Sequence, residues 1–327
     1  MSKVFVVTPT YCTEENRRLP LLMQTIYWIQ QQTHKDYLHI IVDDESTDST
    51  PEVLERLSRF DPNLKVFRKE NAGSSAAINY GVEQALALEK PDYITVCHSD
   101  DVLLPESLDV RVKLALNNGA ELVYTDEVVI YDTGLPPKQH RALEHSSAEE
   151  LYRSLLQHQG GMPYATMLWG ADFFWHNLQG YDNRLTSSED WDIALRSAKE
   201  LVAVQATHAT SHDVTVAKRE HKNRLRIQNL LDGTKQRCYE VILQKHLLGD
   251  EYQAAMARER FTKLRQPRLL GMVKWKLAEL LGPKLFAKVL QLTRRASSTK
   301  TDMDPLAEAF LKEMDNVDYG LMDDRAG

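Results

Sequence analysis

Short apolar runs alternate with amphipathic stretches through the first half of the chain. Runs rich in Val and Ile at residues 4–7 and 38–42 predict strands, as do 64–68, 93–97 and 121–131. Between them, apolar residues recur at helical spacing over 19–31, 74–88 and 105–117. Ser49-Thr50-Pro51-Glu52 opens a further helix, with an S-x-x-E capping pattern and an early proline. The alternation of strand and helix predicts an α/β fold, a mostly parallel sheet with helices on both faces.

The middle of the chain is less regular. Gln159-Gly160-Gly161-Met162-Pro163 reads as a loop, residues 165–169 as a strand, and a short helix ends near Gly180. Another helix begins at Ser187 or Ser188, and from about Asn223 the pattern is nearly continuous helix. This places a boundary at about 220–235, within a chain of 327 residues that is long enough for one large domain or two. The helical region divides by charge. Between 269 and 295, Lys274, Lys276, Lys284, Lys288, Arg294 and Arg295 are interleaved with apolar residues against one acid, Glu279, whereas the tail beyond Thr301 is acidic. The basic stretch has two readings: peripheral contact with an anionic membrane, or packing against a second subunit or the rest of the chain.

Composition narrows the class. Hydrophobic residues at 43% and charged residues at 27% are an ordinary globular balance, and a net charge of −7 argues against nucleic acid as the main partner. Cys12, Cys97 and Cys238 are far apart with no CxxC pair, so neither a disulfide framework nor a cysteine zinc site is indicated. With no long apolar leader and no run of about 18 apolar residues, the expected location is cytoplasmic.

In open α/β sheets ligands bind beyond the carboxyl ends of the strands. The first strands here end in Thr8-Pro9-Thr10-Tyr11, Asp43-Asp44-Glu45-Ser46, Asn71-Ala72-Gly73 and His98-Ser99-Asp100-Asp101. No G-x-G-x-x-G follows strand one, and no P-loop is present. Adjacent carboxylates suggest instead that Mg²⁺ or Mn²⁺ neutralises phosphate charge. Each motif alone has a plainer reading. Asp100-Asp101 and Asp43-Asp44 suit a helix cap or a polar turn, Asn71-x-Gly73 is an ordinary turn signal, and Glu189-Asp190 complements the dipole at a helix start. The chemical reading makes Asp190 a general base. Trp169, Phe173, Phe174 and Trp175 suit core packing or an acceptor-sugar platform; Trp191 suits the core.

Taken in order, these segments resemble glycosyltransferase family 2 with the GT-A fold. The motifs are Val4-Phe5-Val6-Val7-Thr8-Pro9-Thr10-Tyr11, Gln32-Thr33, Ile40-Ile41-Val42-Asp43-Asp44-Glu45-Ser46-Thr47-Asp48, Asn71-Ala72-Gly73, Asn79-Tyr80-Gly81, Ser99-Asp100-Asp101 and Glu189-Asp190. The resemblance covers about residues 3–225. It implies a GT-A catalytic domain over 1–225, with a nucleotide-sugar half at about 1–130 and an acceptor half at about 131–225. Residues 226–327 form the helical C-terminal region. It further implies an inverting enzyme of the hexosyltransferase class that uses a nucleoside-diphosphate sugar with Mn²⁺ or Mg²⁺. Thr8, Pro9, Thr10, Tyr11, Asp43, Asp44, Asn71, Gly73, Asn79, Ser99 and Asp100 would contact the donor. Asp101, Asp100 and His221 would serve the metal, with His212 an alternative to His221. Asp190, beside Glu189, would take the proton of an acceptor hydroxyl on a bacterial surface polysaccharide or lipid-linked saccharide. Membrane contact or homo-oligomerisation would fall to the C-terminal helices.

Three positions depart from the family pattern. His98 stands where many relatives have the first Asp of D-x-D-D, leaving His98-Ser99-Asp100 as a second register for the metal motif. Ile78 stands where many have Arg, and Lys218-Arg219-Glu220-His221 replaces an aromatic-Arg-x-His pattern. The rival readings are a sugar-phosphate nucleotidylyltransferase, which lacks support without a Gly-rich loop after strand one, and a non-catalytic transferase-like scaffold subunit.

Overall fold

Seven consecutive buried residues, Val4–Thr10, form strand β1 inside the sheet. β1 pairs in parallel with β2 (Tyr37–Asp43) along its whole length and with β4 (Tyr93–Val96) over residues 4–7. β3 (Leu64–Arg68) adds in parallel to β2. Helices α1 (Leu19–Gln30), α2 (Thr50–Phe60) and α3 (Ser74–Leu86) make the crossovers. The computed structural model describes residues 2–132, 135–157, 162–220 and 234–256. Residues 159–161 of the loop predicted at 159–163, His221, and the basic and acidic stretches of the C-terminal region lie outside the described residues.

Alternate residues of β1 serve opposite faces, as a strand period of two requires. Phe5 and Val7 pack with Ala77, Ile78 and Val82 of α3, whereas Val4 and Val6 pack with Ile29 of α1 and with Leu108 and Val112 of α4 (Ser107–Asn118). Burial on both faces explains the uninterrupted apolar runs. Ile78, where the family pattern has Arg, is wholly buried in this core. Helix α3 lies so close to the sheet that a Cβ on Gly81 would stand 2.6 Å from Cγ2 of Val42.

Past β4 the pairing changes. β8 (Leu168–Gly170) runs antiparallel to both β4 and β6 (Ala120–Tyr131). β9 (Thr207–Glu220) runs parallel to β6, with bulges around Asp126. β5 (Val102–Leu103) pairs antiparallel with β9, and β7 (Lys138–His140) with β6. The order is β3-β2-β1-β4-β8-β6-β9-β5, with β7 off this path. Arg111 of α4 is fully buried below the join. Its guanidinium donates to Thr95 Oγ1 (2.8 Å), Ser107 Oγ (2.9 Å) and the Thr166 carbonyl (3.2 Å), which ties β4 to α4 and to the turn before β8.

Several elements differ from the sequence reading. β1 continues three residues beyond its Val-rich run and takes in Thr8-Pro9-Thr10. Pro9 has no N–H to donate, and it is tolerated because pairing with β4 has already ended at Val7. Helix α2 begins at Thr50, and Asp48 Oδ1, rather than the Ser49 side chain, accepts the Thr50 N–H. Helix α5 (Ala148–Leu156) was not expected from periodicity, although Ser147 caps it by accepting the Glu150 N–H. Strand β9 was also unexpected, because its first half, THATSHD, is polar and partly exposed. Helix α6 (Glu189–Val204) starts where predicted, with Ser188 as its N-cap.

Helix α7 (Thr234–His246) buries Cys238, Tyr239, Ile242 and Leu243 in the same core as α3 and α6. Trp169, Phe173 and Phe174 are buried there too, with Trp169 and Phe174 ring centroids 5.3 Å apart, so they are core rather than an exposed platform. Trp191 is likewise buried. No helix among the described residues is long and apolar enough to cross a membrane.

Candidate functional site

The C-terminal ends of β1, β2 and β3 meet in a polar edge. The Asp44 N–H donates to the Thr10 carbonyl (2.8 Å), which joins β1 to the turn after β2. Asp43 accepts from the Ser46 N–H at 2.8 Å and from Arg68 Nη1 at 2.9 Å. Asp44 accepts from Lys69 Nζ (2.9 Å), the Ala72 N–H (3.1 Å) and the Gly73 N–H (2.8 Å), while Asn71 Nδ2 donates to its carbonyl (3.0 Å). Both carboxylates are therefore buried and held by the ends of β3 and the 71–73 turn. Glu45 between them and Ser46 has φ +72°, a left-handed conformation uncommon for a non-glycine residue. The cations Arg68 and Lys69 escaped the sequence reading, although their place at the end of β3 is where such a partner belongs.

Two residues expected to contact the donor have hydrogen-bond partners within the chain. Thr8 is fully buried and shares a 3.0 Å hydrogen bond with Nε2 of His39 on β2. His39 itself is held neutral by burial, its pKa lowered to about 3. Asn79 pins α3 to the loop before α6: its Nδ2 donates to the Tyr181 carbonyl and to Asn183 Oδ1, both at 2.8 Å, and its Oδ1 accepts the Tyr181 N–H at 2.8 Å. Tyr11 is partly exposed, and Thr10 Oγ1 lies 3.3 Å from Cys12 Sγ.

The turn after β4 carries His98, Ser99, Asp100 and Asp101. The Asp101 N–H donates to the His98 carbonyl (3.0 Å), and the Asp101 carbonyl accepts from Thr25 Oγ1 of α1 (2.7 Å). Asp101 Oδ1 accepts the backbone N–H of Arg219, at the end of β9, at 2.9 Å. Arg219 Nη2 in turn donates to Gln24 Oε1. Asp100 and Asp101 are both buried. The turn is thus fixed by α1 and β9 as well as by its own strand.

Asp190 approaches this turn from the start of helix α6. Its Oδ1 lies 3.7 Å from Nε2 of His98 and accepts from the Tyr181 hydroxyl at 3.5 Å. Burial works against a charge on His98, but Asp190, Asp101 and Asp100 together outweigh it and raise the imidazole to about 9. Burial, followed by the Asp190 charge, pushes up the phenols of Tyr164 and Tyr181. Burial and Asp190 also raise the Glu189 carboxyl, with His98 opposing them. Ser188, which turns the chain into α6, has φ +62°. Local strain of this kind persists where the surroundings enforce it. His98, Tyr164 and Tyr181 as neighbours of Asp190 have no local sequence signal, because they come from separate segments.

The donor set suits a hard cation. Asp100 and Asp101 present carboxylate oxygens, and among the described residues no cluster of three or more His, Cys, Asp or Glu is arranged to hold a metal. Two carboxylates, with phosphates and water completing the shell, are a usual protein contribution to Mg²⁺ or Mn²⁺ sites. His212 lies elsewhere, with Nδ1 3.2 Å from Asp126 Oδ1 and Nε2 3.4 Å from Glu144 Oε1.

A parallel half-sheet of β1 to β4, a mixed second half, and the acidic turn after β4 beside the acidic first turn of α6 have the architecture of a GT-A type transferase domain. The chain belongs to the glycosyl transferase family 2, whose family model matches residues 5–174. A putative teichuronic acid biosynthesis glycosyltransferase, TuaG, of Bacillus subtilis is 26% identical over 41% of this chain and 50% of its own length. A GalNAc(5)-diNAcBac-PP-undecaprenol beta-1,3-glucosyltransferase of Campylobacter jejuni is 33% identical over 38% of each. The chain spans half or less of the length of the curated relatives it matches first. Among solved structures, S. aureus TarS 1–349 superposes with a TM-score of 0.57 at 18% identity, over 96% of this chain and 88% of that one.

Proposed function

We propose that the chain is an inverting, metal-assisted glycosyltransferase that moves a sugar from a nucleoside-diphosphate sugar to a hydroxyl on a growing glycan or lipid-linked saccharide. The observation that carries this reading is the position of His98. It stands 3.7 Å from Asp190 and belongs to the same turn as Asp100 and Asp101, which supports reading the two acidic motifs as one site. The names of TuaG and of the Campylobacter relative support glycan assembly as the setting.

In this reading the donor lies across the ends of β1, β2 and β4, with Asp43, Asp44 and the 71–73 turn shaping its nucleotide end. Asp100 and Asp101 would hold Mg²⁺ or Mn²⁺, which stabilises the charge on the departing diphosphate. Asp190 takes the proton of the acceptor hydroxyl. The acceptor oxygen forms a bond to the anomeric carbon as the carbon–oxygen bond to phosphate breaks, and configuration inverts. Tyr181 and His98 orient the base.

The test couples two measurements. Thermal-shift screening of UDP-, GDP- and dTDP-sugars with and without Mn²⁺ identifies the donor, since only ligands of the folded state stabilise it. Asp190→Asn then abolishes transfer while the donor-induced shift persists. Full transfer by that variant removes Asp190 from the mechanism, and release of pyrophosphate would indicate nucleotidyl transfer instead.

A further inference from the structure

Helix α7 lies far along the chain from every motif of the site, yet it touches both segments that place Asp190. Lys245 Nζ donates to Asp192 Oδ1 at 2.7 Å and also to Asp182 Oδ2. Asp192 is wholly buried and stands two residues after Asp190, in the first turn of α6. Asp182 follows Tyr181, whose hydroxyl donates to Asp190. Between Asp190 and Asp192 stands Trp191, whose ring stacks on Tyr239 of α7 at 4.9 Å and whose indole N–H donates to the Leu155 carbonyl.

A second cation completes the arrangement. Arg196 donates to Asp192 Oδ2 (2.8 Å) and to the carbonyls of Leu178 (2.7 Å) and Gly180 (2.8 Å). The 178–182 loop and the start of α6 are thus bound to each other through Asp192, and α7 closes the bridge from outside. Lys245 and Arg196 together balance the buried Asp192 charge. Losing one member of a buried ion network removes charge balance as well as a contact. Ser188, between these segments, has the left-handed φ of +62°.

We infer that Lys245 is a positioning residue: the bridge Asp182–Lys245–Asp192 fixes Asp190 against Tyr181 and His98, which makes α7 part of the working site. This inference rests on the reading of Asp190 as the base. Base geometry is sensitive, since a displacement of about 1 Å can reduce a rate on the order of 100-fold.

The experiment compares Lys245→Met with Lys245→Arg in the full chain. The readouts are hydrogen exchange of peptides covering 178–192 and nucleoside-diphosphate release from UDP-GlcNAc, UDP-glucose or GDP-mannose, whichever the wild-type chain turns over fastest. Lys245→Met should speed exchange in 178–192 at least tenfold with β1–β4 unchanged. Its kcat should fall at least tenfold, with KM for the donor within twofold. Lys245→Arg, which can still span both carboxylates, should restore most of each. Exchange and kcat within twofold of wild type in Lys245→Met overturn the inference. So does a uniform rise in exchange with kcat per folded molecule unchanged, the mark of a merely structural lysine. If Lys245→Met does not fold, Asp182→Leu removes the acceptor and breaks the same bridge while leaving Asp192 with both cations, and the same criteria apply; hydrogen exchange decides even where none of the three sugars is turned over. Turnover retained by Asp190→Asn would sink the base assignment separately.

Discussion

Nε2 of His98 lies 3.7 Å from Oδ1 of Asp190, so the turn after β4 and the first turn of α6 share one charge cluster. A histidine occupies the position where the family pattern has a carboxylate, and it gives the site a cation of its own. With burial opposing and three aspartates prevailing, its folded pKa is about 9, above the ordinary 6.5. A raised histidine pKa stabilises the fold below the unfolded value, and the effect is lost as pH rises through the folded value. His98→Gln should therefore cost on the order of 2 kcal/mol below pH ~6.5. The wild-type and variant stability curves should converge above pH ~9. Urea unfolding in metal-free buffer across that range checks it, and a difference that stays constant with pH would contradict the assigned charge.

His39 should behave with the opposite sign. It is buried against Thr8 with its pKa lowered to about 3. Below pH ~6.5 the unfolded chain binds a proton that the folded chain refuses, so this site destabilises the fold by about 1.4 kcal/mol per pH unit as pH falls toward 3. His39→Gln can keep the hydrogen bond to Thr8 without titrating. The variant's stability should fall less steeply than wild type between pH 6.5 and 5, where most carboxylates are still ionised.

The 178–183 loop gives a third prediction. Gly180 has φ +66°, and a Cβ there would stand 2.3 Å from Oδ1 of Asn79, the atom that accepts the Tyr181 N–H. Gly180→Ala should destabilise by about 2–3 kcal/mol, combining left-handed strain with loss of the Asn79 bonds. Asn79→Ala should cost about 1–3 kcal/mol by leaving Tyr181 groups unpaired. The two changes share one contact, so the double variant should cost less than their sum. Strict additivity in chemical denaturation would show that the contact does not couple them.

Metal dependence supplies the fourth. If Asp101 holds a divalent ion, the thermal shift caused by UDP, GDP or dTDP, whichever binds, should shrink with EDTA and return with Mn²⁺. In Asp101→Asn the Mn²⁺-dependent part of the shift should be lost. An equal shift with and without metal, in both proteins, would separate nucleotide binding from Asp101.

How much of this could be read in the chain follows from how local each signal is. β1, β2 and β4 announce themselves by their largely apolar, buried runs, and β3 by a short Leu-x-Val-Phe segment, while the paired carboxylates stand at the ends of β2 and β4. β5 and β7 span two and three residues, too few to show a period. β9 hides because its polar first half hydrogen-bonds at the sheet while its side chains stay partly exposed. In the site, Asp100, Asp101 and Asp190 were visible as residue types, but the contact between His98 and Asp190 depends on a crossing no local pattern encodes. Thr8 and Asn79 have partners that the sequence did not suggest, His39 for the one and Tyr181 with Asn183 for the other. Lys245 had no signal at all, being one lysine on a helix with many polar residues.

The carboxylate of Asp44 carries a last consequence. It receives the N–H groups of Ala72 and Gly73, immediately before α3 begins at Ser74. A helix start is where many nucleotide-binding proteins receive a phosphate on bare amides. Here the amide at the N-cap, Gly73, is already given to the chain's own carboxylate. In the proposed reaction, a diphosphate at this edge would meet the Asp44 charge beside the start of α3, so side-chain cations or a bound metal would have more countercharge to supply than at a bare helix start.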